Sequence, residues 1–202
     1  MNKNTVKNKT MNYKIINNKT SDIITMRPAT IADAEGILAV YAPYILNTTI
    51  TYEYEIPTVE EFQERIRKIT EFYPYLVCED EGEIVGYAYA SQHMERAAFR
   101  WGAEISIYIK KEYHGNGIAA RLYEQIIDIL YKQGVYKVYA LIDSPNEKSE
   151  HFHLKRGFKE IGCLPHTAYK LGKWCDMKYY EKVLRECEGI PGELVAAKLN
   201  EE

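Results

Sequence analysis

The stretch that most limits the folds open to this chain is residues 105–122, ISIYIKKEYHGNGIAARL. An alternating, strand-like segment runs there into a glycine-bearing loop and then into a helix-like segment. Glycines let a ligand approach the backbone closely. The free N–H groups and the positive dipole end of a helix start favour a phosphate at that place. The segment therefore predicts an anion site at residues 114–119.

Two well-known phosphate loops fit this segment poorly. A P-loop is excluded because its closing Gly-Lys-Ser/Thr is absent. A dinucleotide fingerprint matches loosely at Gly115, Gly117 and Ala120, and Asp143 ends the next predicted strand. Helices and a hairpin precede this loop, however, and too few strand–helix units follow it to build a dinucleotide-binding fold. A plain helix start, with glycines that only form the turn, is a further alternative.

Periodicity predicts an alternation of helices and strands along the chain. Helices are predicted at about 31–44, 58–70, 117–132 and 147–156, and strands at about 23–27, 75–79, 84–90, 104–109, 137–142, 158–164 and 177–184. Thr58 and Glu61 form a capping-box pattern. One strand–helix–strand crossover, at 104–142, lies among hairpins. This arrangement predicts an α/β (α+β) fold with a mixed sheet rather than a doubly wound one.

Three regions follow from local composition. Residues 1–22 are rich in Asn, Lys and Thr and predict a disordered or loosely attached leader. Residues 23–186 carry the periodic pattern of one folded domain. Residues 187–202 contain Gly189, Pro191 and Gly192 and predict a turn and a short tail that could be helical.

Charge and hydropathy exclude several classes of partner. The net charge is -3 and the isoelectric point is near 6.0, which argues against a nucleic-acid binder, since such domains are usually basic. No apolar run approaches the roughly 20 residues of a membrane span, and no apolar segment follows the N-terminal lysines as in a signal peptide. We therefore expect no membrane association and a cytoplasmic location.

The four cysteines, Cys78, Cys163, Cys175 and Cys187, lie far apart in sequence and form no C-x-x-C pair. Zinc-binding domains generally show such pairs. Reduced buried or surface thiols are the better interpretation, and we expect no metal site.

Several short motifs follow one another in a fixed order. They are Met26-Arg27-Pro28-Ala29-Thr30, Tyr73-Pro74-Tyr75-Leu76-Val77, Gly86-Tyr87-Ala88-Tyr89-Ala90, Arg96-x-x-Phe99-Arg100-Trp101-x-x-Glu104-x-Ser106-x-Tyr108-Ile109, His114-Gly115-Asn116-Gly117-Ile118-Ala119, Leu122-Tyr123, Pro145-Asn146, His153-x-x-x-Gly157-Phe158 and Tyr169-Lys170-x-Gly172-x-Trp174-x-Asp176. Through their order and spacing, residues 24–184 resemble the GNAT superfamily, and specifically its phosphinothricin and methionine sulfone (sulfoximine) N-acetyltransferase group.

The resemblance implies the GNAT acyl-CoA N-acyltransferase fold, a central mixed, mostly antiparallel V-shaped sheet flanked by helices. It also implies acetyl-coenzyme A (acetyl-CoA) as the acetyl donor. The strands at 104–109 and 137–142 would splay apart, and the pantetheine arm would pair with the backbone of Ile107 and Ile109 as an added strand does. The implied cofactor-binding residues are Ile107, Tyr108, Ile109, His114, Gly115, Asn116, Gly117, Ile118, Ala119, Ala120 and Asn146.

This sequence departs from the superfamily pattern at two positions. His114 stands where Gln or Arg is usual, and it can still present an N–H donor to the pyrophosphate. His153 aligns with the position where many members carry a general-acid Tyr, and the phosphinothricin group also has His there.

The resemblance also assigns catalytic roles. An amine attacks a thioester only when neutral, and α-amines titrate near ~8. Glu104 resembles the family's general base, and nearby Trp101 would raise the pKa of its carboxyl toward the working pH. A surface Glu at a strand end is the alternative. A backbone N–H at 106–108 would stabilise the oxyanion. His153 is the candidate general acid for the departing thiolate, and a helix histidine without a catalytic role is the alternative.

Acceptor binding is predicted for Arg96, Phe99, Arg100, Trp101 and Trp174. A guanidinium fork suits a carboxylate or phosphinate, and the aromatic rings would contact a short side chain. Ordinary core or surface roles remain the alternative for each ring.

The expected reaction is direct acetyl transfer in a ternary complex to a small-molecule amine. The rival functions are a protein N-terminal acetyltransferase of the ribosomal-protein type, a non-catalytic acyl-CoA-binding sensor and a nucleotide-binding module. Proteins that the chain resembles are commonly dimers, so the resemblance also implies a homodimer.

Overall fold

The computed structural model describes residues 11–13 and 24–197, and within them an eight-stranded sheet carries helices on both faces. The strands are β1 Met11–Tyr13, β2 Ile24–Pro28, β3 Tyr75–Asp80, β4 Glu83–Gln92, β5 Gly102–Ile109, β6 Lys137–Ser144, β7 Lys159–Lys170 and β8 Lys173–Val183. The α-helices are α1 Ala34–Asn47, α2 Val59–Thr70, α3 Ile118–Gln133 and α4 Glu147–Leu154.

The strands lie in the order β1-β2-β3-β4-β5-β6-β8-β7, and every neighbouring pair except β5–β6 is antiparallel. The parallel pair is short. Its register runs from Gly102 opposite Lys137 to Glu104 opposite Tyr139, and beyond that point the two strands pair no further. The sheet therefore opens into a V between β5 and β6, which confirms the predicted fold class.

Each face of the sheet has its own apolar core because successive strand side chains point to opposite faces. On one face α3 packs over Ala103, Ile105 and Ile109 of β5. On the other face α1 and α2 cover the tyrosines and Val77 of β3 and β4. Glu104, Ser106 and Tyr108 alternate with the first set, so their side chains belong to the α1–α2 face.

The predicted helices are confirmed with small changes of boundary. Residues 31–33 form a 3-10 turn that leads into α1, which continues to Asn47. The capping box that begins α2 is present, because Thr58 Oγ1 accepts from the Glu61 N–H (3.1 Å) and Glu61 Oε2 accepts from the Thr58 N–H (2.8 Å).

The last two strands are longer than the sequence predicts. The segment between 164 and 177, to which the sequence assigned no strand, continues both β7 and β8 into one long hairpin. Leu171 and Gly172 take positive φ values of 50° and 77° at its turn, where glycine adopts that conformation without a steric penalty.

The described part of the tail, residues 187–197, forms no helix, so the expectation of a helical tail is wrong there. Its glycines and proline disfavour helix, and its backbone instead bonds to the folded body. Val195 N–H donates to the Gln133 carbonyl (3.0 Å), and Ala197 N–H donates to the Phe72 carbonyl (2.9 Å).

Three residues of the predicted leader, Met11–Tyr13, pair with β2. The remainder of the leader lies outside the described residues, and its expected disorder stays a prediction. Among the helices of residues 24–197, none combines the length and apolar character that a bilayer crossing requires.

Candidate active site

A cleft of about 450 Å³ lies where β5 and β6 separate. Its walls are the two diverging strands, the glycine loop with the start of α3, and α4. All of the predicted cofactor-binding residues line it except Asn116. The structure therefore brings together segments that lie far apart in the chain, from Ile105 on β5 to His153 on α4.

The backbone of β5 presents hydrogen-bonding groups along one wall of this cleft. Lys110 N–H donates to the Val85 carbonyl on β4 (2.8 Å). Because the N–H and C=O groups of successive strand residues point to opposite sides, Ile107 and Ile109 direct theirs away from β4 and into the cleft. The N–H and C=O of Tyr108 point to β4 by the same alternation, and its ring packs against Tyr41 and Tyr44 on the α1 side.

The glycine loop allows a close approach to the start of α3. Gly115 and Gly117 have φ values of 83° and 79°, and a Cβ at either position would meet no atom within 4 Å. The first turn of α3 carries no acidic side chain to compete for its N–H groups. This geometry supports an anion site at the loop.

His114 is placed differently from the expectation. Its Nε2 lies 3.0 Å from the Ile109 carbonyl and 3.0 Å from the Tyr44 hydroxyl. Tyr44 also donates to the Ile109 carbonyl, at 2.6 Å. Because a carbonyl only accepts, Nε2 of His114 is the donor in that contact, so this N–H is not directed at a pyrophosphate.

The cleft also contains residues that sequence reasoning missed. Tyr44, Ile50, Tyr113, Lys148 and Arg156 line it besides the predicted set. Lys148 and Arg156 lie on and just after α4, and they add positive charge opposite the glycine loop. Basic residues on and just after the helix that follows β6 were a usable signal for an anionic ligand.

Glu104 occupies the last paired position before the strands separate. Its Oε1 lies 2.8 Å from His93 Nδ1, and its side chain is 29% exposed. Burial raises the pKa of the Glu104 carboxyl above its ordinary value, and the His93 hydrogen bond partly opposes that rise. A carboxyl of this kind suits a general base that works near neutral pH.

His153 lies on α4 and lines the cleft. Its Nδ1–H donates to the Ser149 carbonyl at 2.8 Å, which leaves Nε2 as an acceptor in the neutral ring. Nε2 is buried and has no hydrogen-bond partner among the described residues. Burial lowers the pKa of His153. A general acid must carry a proton on the atom that faces its target, and here that needs the disfavoured, doubly protonated ring.

The predicted acceptor-binding residues do not all line one site. Phe99 and Trp101 line a second cavity, of about 270 Å³, whose other walls include His93, Tyr139 and the tail residues Cys187, Glu188, Gly189 and Pro191. We call it the tail cavity. Arg100 lies over the Trp101 ring, with its guanidinium carbon 4.4 Å from the ring centroid, and Arg96 is exposed at the start of the 97–99 turn. Neither arginine lines this cavity.

Trp174 lies far from Trp101, contrary to the expectation that they share a site. The carbonyl of Trp101 accepts from Tyr136 N–H, just before β6 begins. Trp174 is two residues from Asp176, which pairs with Ser144 where β6 ends. β6 has eight residues, and seven steps of about 3.3 Å separate its two ends by roughly 23 Å. Trp174 is 61% exposed and contacts Tyr169.

A polar cluster on the α1–α2 face was also missed by sequence reasoning. Tyr41 Oη lies 2.5 Å from Thr51 Oγ1 and 3.0 Å from Glu53 Oε1, and Arg65 pairs with Glu53 at 2.7 Å. Burial raises the pKa of Tyr89 beside this cluster, and the charges of Glu104 and Glu53 add to that rise. No local motif marks the cluster, because its members lie on a helix, a loop and a strand.

Comparison with known proteins agrees with this geometry. Residues 26–179 match the family model for a GNAT acetyltransferase domain. The chain is 30% identical over 159 residues to a phosphinothricin N-acetyltransferase of Streptomyces viridochromogenes, which covers 79% of this chain and 87% of that protein. It is 31% identical over 173 residues to an L-methionine sulfoximine/L-methionine sulfone acetyltransferase of Pseudomonas paraeruginosa, covering 83% of this chain and 98% of that protein.

A solved structure shows the same fold. The phosphinothricin acetyltransferase of Sinorhizobium meliloti, in complex with acetyl-CoA, superposes with a TM-score of 0.81 at 34% identity, covering 85% of this chain and 95% of that one. The chain therefore belongs to the GNAT family and is an acetyl-CoA-dependent N-acetyltransferase.

Proposed function

We propose that this protein acetylates the α-amine of a small amino-acid-like substrate of the phosphinothricin, methionine sulfone or methionine sulfoximine type. The observation that carries the proposal is the position of Glu104. Glu104 stands at the fork of β5 and β6, one residue before Ile105, where β5 begins to line the cofactor cleft, and its carboxyl is on the α1–α2 face beside His93. The names of the relatives support the substrate class.

The cleft fits acetyl-CoA through three kinds of contact. The N–H groups at the start of α3 would bind the pyrophosphate. Ile107 and Ile109 would pair with the pantetheine amides, with the Ile109 N–H available for this although its carbonyl is already engaged. Lys148 and Arg156 would attract the remaining phosphate. When bound, acetyl-CoA supplies a thioester that is open to attack by an amine.

The residues at the fork would then act on the amine. Glu104 accepts a proton from the acceptor ammonium, and the electron pair of the broken N–H bond stays on nitrogen. That pair would form the N–C bond to the acetyl carbonyl carbon while the C–S bond breaks, and the departing thiolate would take up the proton that the new amide nitrogen releases. The Ile107 N–H, which points into the cleft, is our candidate donor to the developing oxyanion. None of the four cysteines, all within the described residues, lines the cleft. This supports direct transfer in a ternary complex over an acyl-cysteine intermediate.

For the acceptor, we propose that the side chain occupies the tail cavity. Phe99 and Trp101 line that cavity, and His93 connects it to Glu104. Arg96 and Arg100 remain candidates for the acceptor carboxylate, since both are exposed and belong to the 96–101 segment whose Phe99 and Trp101 line the cavity. Acetylation would remove the amine's positive charge, which is how such an enzyme would confer resistance to a toxic amino-acid analogue.

We also propose that the protein is a homodimer. The hairpin of β7 and β8 exposes several large apolar side chains, including Ile161 at 53%, Leu164 at 43% and Trp174 at 61%. Exposed apolar surface of this kind often marks an interface. Sedimentation equilibrium would show a monomer mass if this proposal is wrong. The cytoplasmic location expected from the sequence stays a prediction.

The test of the function is thiol release from acetyl-CoA by the purified protein. Methionine sulfone, methionine sulfoximine, phosphinothricin and a short ribosomal-type peptide are compared in parallel. We expect turnover of the small amines and a loss of about 100-fold or more in Glu104→Gln near pH 7. Glu112→Gln, an exposed carboxylate beside the glycine loop, is the matched control. Turnover of the peptide alone would be consistent with the family assignment and would refute the proposal of a small-molecule substrate.

The same assay decides the role of His153. If its ring is the general acid, His153→Gln lowers kcat strongly, and wild-type kcat falls as pH rises through the lowered pKa of this histidine. The buried, neutral ring favours the other outcome, a loss in kcat of less than about tenfold with a weaker affinity for acetyl-CoA.

A further inference from the structure

His93 is the hydrogen-bond partner of the proposed base. Its Nδ1 lies 2.8 Å from Glu104 Oε1, and its side chain is only 8% exposed. His93 directly follows β4, and Glu104 lies near the start of β5. They meet because Ser91, near the end of β4, pairs with Glu104. The resemblance assigned His93 no chemical role beyond the start of a substrate loop.

The ring of His93 is held in one orientation by its surroundings. It stacks on Tyr139 of β6, with ring centroids 4.0 Å apart and an angle of 19° between the planes. Tyr179 of β8 meets it edge-on at 6.4 Å. The opposite side of His93 borders the tail cavity. Because stacking already fixes the ring, His93 directs Nδ1 at Glu104 with little further loss of side-chain conformational freedom.

The carboxylate of Glu104 needs such a donor because burial favours its neutral form. A neutral carboxyl cannot accept the amine proton. A hydrogen bond to one carboxylate oxygen favours the charged form and leaves the other oxygen for the amine. Other ionisable groups face the pair from every packed element. They are Tyr89 on β4, Tyr139 and Lys137 on β6, Tyr179 and Glu181 on β8, Glu53 and Arg65 on the α1–α2 face, and Cys187 and Glu188 of the tail.

We propose that His93 is a positioning residue of the transfer reaction: its Nδ1–H donates to Glu104 Oε1, keeps the carboxylate ionised and directs its other oxygen toward the acceptor amine. The proposal rests on the proposed function of Glu104. It assigns His93 no contact with acetyl-CoA, and it requires only the Nδ1 donor rather than a titrating ring.

Two substitutions separate this role from a purely structural one. His93→Asn places an amide N–H near the position of Nδ1 and cannot titrate. His93→Phe keeps a ring over Tyr139 and has no donor. We expect His93→Asn to retain kcat/KM within about threefold, and His93→Phe to lose roughly 10- to 100-fold at pH 7, the usual value of a hydrogen bond to a charged group.

The pH dependence of kcat/KM distinguishes the two roles, because a purely structural role of His93 would leave it unchanged. Loss of the donor raises the pKa of Glu104 further, so in His93→Phe the acidic limb of kcat/KM moves to higher pH and part of the activity returns by pH 9. The KM for acetyl-CoA and the thermal unfolding temperature serve as checks of folding. A His93→Phe variant with the wild-type acidic limb, or with a loss that is equal at every pH, overturns the proposal.

A second measurement needs no acceptor. Carboxyl-carbon NMR of glutamate-labelled protein, with the signal assigned by its absence in Glu104→Gln, follows the titration of Glu104 directly. Its midpoint should rise in His93→Phe and stay near wild type in His93→Asn. An unchanged midpoint in His93→Phe refutes the role of His93. Absence of turnover with every acceptor would refute the proposed function alone, so the two failures are distinguishable.

Discussion

At the scale of single residues, Glu104 is a partly buried carboxylate. In that place a neutral side chain would make the folded protein more stable than a charged one does. Glu104 is half-buried on the α1–α2 face, among Tyr89, Ser106 and Tyr139. One hydrogen bond, from His93, partly compensates the lost hydration. Active sites often retain groups of this kind, because reactivity needs what folding disfavours.

Glu104→Gln should therefore stabilise the protein at neutral pH while it removes activity. The pKa of Glu104 is raised in the folded protein, so the folded state holds this proton more tightly than the unfolded chain does. Its contribution to stability is present below the ordinary pKa of 4.5 and is lost as pH rises through the raised value. Gln has no such dependence, and its Oε1 can still accept from His93.

Thermal unfolding of the two proteins between pH 4 and pH 8 measures this difference. The melting temperature of Glu104→Gln should exceed that of the wild type by more at pH 7 than at pH 4. Glu112→Gln, at an exposed site, should show no such divergence. A wild-type protein that is the more stable at pH 7 would contradict the burial of an ionised Glu104.

At the scale of elements, the loop between β5 and α3 combines two backbone requirements. Gly115 and Gly117 take left-handed φ values, and the N–H groups of the first turn of α3 must remain accessible to an anion. A side chain at Gly117 would cost about 1–2 kcal/mol of backbone strain. No atom occupies the space where its Cβ would lie, so any further effect would come from the ligand.

Gly117→Ala should weaken coenzyme A binding about five- to tenfold, since strain and the new methyl group both oppose the bound loop conformation. Isothermal titration calorimetry measures the Kd. Gly82→Ala is the matched control, because Gly82 has a φ of 84°, equally open surroundings and a place in the distant β3–β4 turn. Both variants should lose similar stability. An equal Kd in the two variants would show that the loop does not bind the cofactor.

At the scale of the whole molecule, the C-terminal segment joins parts of the domain that are distant in sequence. Trp101 Nε1–H donates to the Gly192 carbonyl at 2.8 Å, and Gln133 Nε2–H donates to the Val195 carbonyl at 2.9 Å. Cys187, Glu188, Gly189 and Pro191 close one side of the tail cavity. This segment lies beyond residue 179, where the match to the family model ends.

Removal of residues 187–202 should therefore affect stability and acceptor binding but not cofactor binding. Four N–H···O hydrogen bonds join the described residues 187–197 to the folded body, and at about 1 kcal/mol each they predict a loss of roughly 2–4 kcal/mol in the free energy of unfolding. The KM for the acceptor should rise about tenfold, equivalent to roughly 1.4 kcal/mol. The KM for acetyl-CoA should change less than about twofold.

Urea unfolding and steady-state kinetics measure these effects. Trp101→Phe is the control, since it removes one donor and keeps a ring in the cavity wall, and it should lose only about 1 kcal/mol. A truncated protein with an unchanged acceptor KM would show that the tail cavity does not bind the acceptor.

Sequence alone determined the features that depend on residues close together in the chain. The glycine loop, the capping box of α2 and the alternation of β5 each follow from local spacing. Local backbone geometry and side-chain periodicity are enough to predict them. The order of the sequence motifs also implied a V-shaped sheet. The pairing of β5 with β6 over only three residues confirms it.

Tertiary structure alone decided which side chains meet. The contact of His93 with Glu104 depends on strand register, and the distance of Trp174 from Trp101 depends on their places at opposite ends of β6. The bonds of His114 to Ile109 and of His153 to Ser149 fix which ring nitrogen carries a proton. Such contacts join residues through space, and one sequence carries no local signal for them because register and packing are set by the whole fold.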